Sequence, residues 1–164
     1  MQNLRKAEII YRKLVNSSSL SLGDNLRFQA QVFYLQENFA EAEKKINETL
    51  QIYKLSSKPQ HTNYPTALII QGLLFNRQNN HAEAEKILRE ALKLRTDSLP
   101  KEHFWVSLAQ GALGECLITQ KKFAEAEPLL RESYENLKQS QGAENPRTVL
   151  AQNRLNKLYE VRSE

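Results

Sequence analysis

One cysteine in 164 residues cannot close an internal disulfide, so a reducing, cytoplasmic setting is expected. No apolar run approaches the roughly 18 residues that a membrane-crossing helix needs. The N-terminus carries no apolar signal segment. β-Branched residues are sparse, and no stretch alternates apolar with polar, so the usual strand signal is missing. Lys and Arg never run longer than two, and aromatics do not interleave with them as in a base-stacking surface. Gly-x-x-x-x-Gly-Lys, His-Glu-x-x-His and Gly-x-Ser-x-Gly are all absent. The chain is therefore expected to have no catalytic residues and to need no metal or cofactor. Nucleic-acid and membrane partners are not expected either.

What the chain does have is charge of both signs, 23 Lys and Arg against 19 Asp and Glu, on a 40% hydrophobic background. That composition suits one soluble domain with an ample core. Lys86, Arg89, Lys93 and Arg95 alternate with Glu83, Glu85 and Glu90, as on a solvated helix face. The net charge of +4 is thus spread rather than gathered into a patch.

Above all there is a repeat. Ala-Glu-Ala-Glu occurs at 40–43, 82–85 and 124–127, 42 residues apart each time. The register extends to FAEAEKKINETLQIYK (39–54), HAEAEKILREALKLRT (81–96) and FAEAEPLLRESYENLK (123–138). His61, His103 and Asn145 follow the same step, and a weaker copy, KAEIIYRKLV, occupies 6–15. A fixed period of this size marks stacked supersecondary units. Such units work through a surface rather than a cleft.

Ala84, Ile87, Leu88, Ala91 and Leu92 keep the i, i+3, i+4, i+7, i+8 spacing of an amphipathic helix. Between these segments, Leu68, Gly72 and Phe75, then Ala109, Leu113, Cys116 and Leu117, keep helical spacing too. Ser-Ser-Lys-Pro at 56–59, Leu-Pro-Lys at 99–101 and Gln-Gly-Ala-Glu-Asn-Pro at 141–146 read as turns. The expected map is about eight helices in one domain, 1–164: a lone helix at 1–16, pairs at 22–55, 64–97 and 105–139, and a capping helix at 147–161. The lone first helix reads as the second half of a repeat, which leaves a longer parent protein as an expectation. Ala42, Ala84 and Ala126 share one register, and Ala30, Gly72 and Gly114 another. These small residues are expected to let paired backbones approach closely, with Phe33, Phe75 and Leu117 filling the space beside them.

Several constellations have ordinary structural readings. His61, His81 and His103 are too far apart in a repeat to ligate one metal, and two of them hold equivalent loop positions. Cys116 on an apolar face reads as a small buried hydrophobe. The glutamate pairs of the repeat lie two apart, point in different directions, and suit helix N-termini. Gly111 and Gly114 fall inside a helix rather than in a phosphate loop.

A small residue, a bulky one three later, an aromatic or His, and an alanine three after that resembles the tetratricopeptide repeat. AEAEPLLRESY, a loop similar to G-x-x-N-P at 142–146 and L-x-x-N-R-L at 150–155 resemble its 42-residue, kinesin-light-chain-like type. Bacterial arrays, some attached to signalling Ser/Thr kinases, look most similar in the last third. The resemblance covers nearly the whole chain. It implies an all-α, right-handed α-solenoid of antiparallel helix pairs that binds a protein or peptide in its concave groove. The alternatives are a regulatory region of a larger bacterial signalling protein and a self-associating scaffold joined through unpaired end helices.

Carried over by register, the groove positions are Arg27, Gln31, Tyr34 and Leu35, then Ile69, Leu73, Asn76 and Arg77. Gly111, Glu115, Ile118 and Thr119 follow, then Asn153, Lys157, Glu160 and Val161. The kinesin-type pattern favours asparagine at the first position of each set, and only Asn153 keeps it. Ile69 and Leu73 stand where a carboxylate clamp would need polar groups. The expectation is an apolar anchor at Ile69 and Leu73 with polar flanks from Arg27, Tyr34, Asn76, Arg77 and Lys157. Arg154, beside Asn153, is expected to add positive charge.

Overall fold

The computed structural model describes residues 20–55 and 62–163. The expected helix at 1–16, the turn at 56–59 and His61 lie outside the described residues. Among those described there are seven helices and no strand: α1 (Leu20–Leu35), α2 (Phe39–Leu55), α3 (Tyr64–Arg77), α4 (His81–Ser98), α5 (Phe104–Thr119), α6 (Phe123–Gln141) and α7 (Pro146–Arg162). The described residues up to Leu74 and those from Phe75 form two compact units.

The repeat is visible in the backbone. Helices α2, α4 and α6 begin at Phe39, His81 and Phe123, on one register. Ala42, Ala84 and Ala126 donate their amides to the carbonyls of Asn38, Asn80 and Lys122, each at 3.0 Å. Glu41, Glu83 and Glu125 sit in the first turns, where a carboxylate meets the positive end of the helix dipole. Each preceding helix ends in the same way. Glu37, Asn79 and Lys121 adopt left-handed conformations, with φ of 58°, 61° and 58°. The next amide, of Asn38, Asn80 or Lys122, reaches back five residues to the carbonyl of Phe33, Phe75 or Leu117 at 2.9–3.0 Å. That is a Schellman stop built without glycine.

The loops between pairs repeat as well. His103 caps α5 by accepting the Trp105 amide on Nδ1 at 3.2 Å. Asn145, 42 residues on, caps α7 by accepting the Arg147 amide on Oδ1 at 2.9 Å. A first-turn proline, Pro146, follows that cap, where its missing N–H costs nothing.

In the first unit α1 and α2 run antiparallel. Thr49 Oγ1 reaches the Gly23 carbonyl at 3.4 Å, and Tyr53 Oη donates to Asp24 Oδ1 at 2.5 Å. Leu22, Leu26, Ala30, Phe33, Ala42, Ile46, Leu50 and Tyr53 are buried. Each large apolar side chain among them contributes about 1.5–3 kcal/mol on leaving water. A Cβ on Gly23 would lie 2.7 Å from Tyr53 Cε1, so the Tyr53 ring fits there only because Gly23 lacks one.

In the second unit α5 pairs with α6 by the same rule. Ser133 Oγ donates to the Ser107 carbonyl at 2.7 Å. Ser133 and Ser107 lie two repeats beyond Thr49 and Gly23. Leu88, Leu113, Leu117, Leu130, Leu137 and Leu158 are fully buried. Gly114 is needed, but not for the backbone-to-backbone approach expected of it. A Cβ there would lie 2.5 Å from Leu130 Cγ, so the glycine receives a leucine side chain from the facing helix.

Candidate binding surface

The groove positions expected from register divide between interior and surface. In the first unit Arg27 is buried, with its guanidinium 4.4 Å over the Phe28 ring. Phe28 itself is exposed. Beside Arg27, burial and then the Asp24 carboxylate push the Tyr53 hydroxyl well above its ordinary range. Asn63 Nδ2 also donates to Asp24 Oδ1, at 2.8 Å. Gln31 is exposed. Tyr34 is half-buried and meets Phe39 edge-on at 5.7 Å.

Ile69 and Leu73 are each only 9% exposed. They belong to an unbroken buried stretch of α3 from 65 to 70, continued at 72–74. The helix is apolar all round there, so these side chains contribute to the core and offer little to an incoming ligand.

In the second unit Asn76 is buried and already occupied. Its Oδ1 accepts from Thr119 Oγ1 at 2.9 Å and from His81 Nδ1 at 2.8 Å. An amide oxygen only accepts, which puts the His81 proton on Nδ1. Arg77, one residue on, is exposed. Glu115 is half-buried and accepts from Arg154 Nε at 2.7 Å. Arg154, expected to add charge to the groove, ties α7 to α5 instead. Gly111 makes room for it, since a Cβ there would lie 3.1 Å from Arg154 Nη1. Asn153 and Lys157 are exposed on α7. Helices α5 and α7 thus lie side by side, with Asn153 and Lys157 facing water.

Cys116 is fully buried, as its apolar neighbours indicate, and burial raises its thiol pKa. Among the described residues no three His, Cys, Asp or Glu side chains gather as a metal site would require. No helix among them is long and apolar enough to cross a membrane.

A second family of contacts has no counterpart in the sequence reading. Glu85 Oε2 accepts from Gln120 Nε2 at 2.9 Å and Lys122 Nζ at 2.6 Å, while Arg89 holds Oε1. Desolvation pushes the Glu85 carboxyl up, but the hydrogen bonds from Lys122, Arg89 and Gln120 outweigh it and hold the pKa at about 2. Glu127, one repeat later, accepts from Arg162 Nη1 at 2.8 Å and Arg131 Nη2 at 2.9 Å. Gln120 and Arg162 share a register too. In these two repeats the last glutamate of Ala-Glu-Ala-Glu therefore clasps the helix that follows its pair. The signal was the common 35-residue step from each Glu to its partner.

A family model described as tetratricopeptide repeat matches residues 24–97. No curated protein sequence matches the chain. Among solved structures, BtubC (BKLC) from P. vanneervenii is similar at 19% identity and a TM-score of 0.71, with 99% of this chain covered. The chain spans 63% of the length of that one. A Podosopora anserina protein assigned as a kinesin light chain, with nearly identical TPR-like repeats, is similar at 17% identity and a TM-score of 0.70. A variant form of the same protein gives a TM-score of 0.72, and both cover 98% of this chain and 76% of theirs. At these identities the likeness is one of fold.

Proposed function

We propose that this chain, a tetratricopeptide-repeat protein of the kinesin-light-chain-like type, is a non-catalytic interaction module of the cytoplasm that holds a partner's peptide segment. In the second unit the segment lies along α5, α7 and the end of α3. Arg77, Asn153 and Lys157 contact it there, and Glu115 backs them through Arg154. The observation that carries this reading is the side-by-side packing of α5 and α7, which leaves Asn153 and Lys157 exposed. The match of residues 24–97 to the tetratricopeptide-repeat model supports it, because such repeats generally mediate protein–protein interactions.

Arg77 and Lys157 favour a segment with acidic residues. Such charges act mainly on encounter rate and salt dependence. Gln31 and Tyr34 are the corresponding contact candidates of the first unit.

A peptide-display selection against the chain tests the proposal. Selected peptides should lose roughly tenfold or more in affinity when Arg77→Glu and Lys157→Glu are combined. Lys93→Glu, on the solvated face of α4, should change little. If Lys93→Glu removes binding and the double variant does not, the functional surface lies on the other side of the repeat.

A further inference from the structure

A cleft of about 300 Å³ opens in the second unit between α4, α5, α6 and the turn before α5. It shares no residue with the groove. Gln110 of α5 lines it and is only 6% exposed. The Gln110 Nε2 donates to Glu132 Oε2 at 2.8 Å, while its Oε1 is buried with no hydrogen bond from the described residues. A buried acceptor left unfilled is costly, and a ligand that fills it recovers that cost. Glu102 and Glu132 also line the cleft, and among the described residues Lys101 is the one cation set against them. Leu92 and Val106 supply apolar wall.

The chemistry that fits is a cationic group that only donates, carried on an apolar stem. A guanidinium has five N–H donors in a planar fork and matches a carboxylate. Its methylenes would lie along Leu92 and Val106. An anion would face two carboxylates. The volume takes one long side chain and its flanking backbone, not a helix.

We infer that this cleft is a second docking site, one that receives an arginine side chain presented by a partner protein. On entry the guanidinium pairs with the other oxygen of the Glu132 carboxylate, and Gln110 Nε2 keeps its bond to Oε2. A small shift about the soft last torsion of Gln110 lets its oxygen accept a second guanidinium N–H.

The test is a titration of the isotopically labelled full chain with acetyl-Gly-Arg-Gly-amide, followed by NMR. Saturable shifts are expected at the Gln110 side-chain amide and at Leu92 and Val106. Glu132→Gln should weaken binding roughly tenfold, and Lys93→Ala should leave it unchanged. Lys101→Glu, which keeps Glu132, should tighten binding several-fold and serves if Glu132→Gln fails to fold. Equal binding of the norleucine analogue would overturn the inference. Tighter binding of free arginine than of the blocked peptide would make the cleft a small-molecule site and overturn it too. So would shifts confined to other residues, or none.

Discussion

Where a first helix hands over to its second, the pairs use different chemistry at one register. In α1–α2 the corner is aromatic, with Tyr34 edge-on to Phe39 at 5.7 Å. In α3–α4 the same two positions are Asn76 and His81, joined at 2.8 Å. In α5–α6 they are Ile118 and Phe123. The backbone turn between them is nevertheless the same each time. The turn geometry therefore does not depend on the corner pair. What the corner changes is the consequence of losing a partner. An aromatic or aliphatic corner loses contact area. The polar corner would strand a half-buried ring N–H, a heavier penalty for a smaller group.

The strongest way to sharpen that contrast is to put charge into each kind of site. Ala126→Arg and Leu73→Glu both place a charge where the wild-type residue is buried, and each should cost several kcal/mol in a urea melt, about 3 or more. Lys157→Glu, on an exposed groove position, should stay within about 0.5 kcal/mol. A wild-type melt for Leu73→Glu would return Ile69 and Leu73 to the groove.

The polar corner comes next. Asn76→Ala should destabilise by about 1–2 kcal/mol, because His81 Nδ1 loses its acceptor while Thr119 keeps only the Cys116 carbonyl. The double variant Asn76→Tyr with His81→Phe copies the first pair's corner and should lose less than the sum of the singles. The interaction energy from that cycle should be about 0.5 kcal/mol or more. Strict additivity would mean that Asn76 and His81 do not act as a unit.

Much of the fold was legible because the repeat states it three times. Phe39, His81 and Phe123 open three helices, and the step from His103 to Asn145 marks two N-caps. The binding surface was harder to read, for physical reasons. Register fixes where a residue sits on its helix but not what its neighbours have become. Ile69 shares its register with Gly111 and Asn153, yet one is core, one leaves room for an arginine and one faces water. Arg154 looked like surface charge because its partner, Glu115, is 39 residues away. The buried hydroxyl bonds of Thr49 and Ser133 skip the middle pair, where Ala91 stands, so no three-fold pattern exposed them.

The Glu85 clasp gives a pH test of smaller size. Its folded pKa of about 2 lies below the ordinary value of 4.5, so its contribution is fully present above about 4.5. That contribution is lost as pH falls through about 2. Glu85→Gln should therefore flatten the acid limb of the stability curve over that window and leave the slope near neutrality unchanged. Parallel acid limbs for the variant and wild type would remove Glu85 as the source.

The smallest effect probes the turn that all three pairs share. Glu37 and Lys121 hold φ of 58° with ordinary side chains, whereas Asn79 holds 61° with a residue that tolerates it. For an ordinary L-residue that conformation costs roughly 1–2 kcal/mol. Glycine relieves the strain but has more freedom to lose on folding, roughly 0.5–1 kcal/mol. The net gain for Glu37→Gly and for Lys121→Gly should then be about 0.5–1 kcal/mol, read as a higher urea midpoint at unchanged slope. Asn79→Gly should be nearly neutral, because asparagine already bears little of the steric cost. The prediction thus sets two turns against the third with the backbone held constant. A gain at all three sites would mean that glycine acts through something other than relief of side-chain strain. A loss at Glu37 and Lys121 would mean that their side chains stabilise the stop more than their backbones strain it.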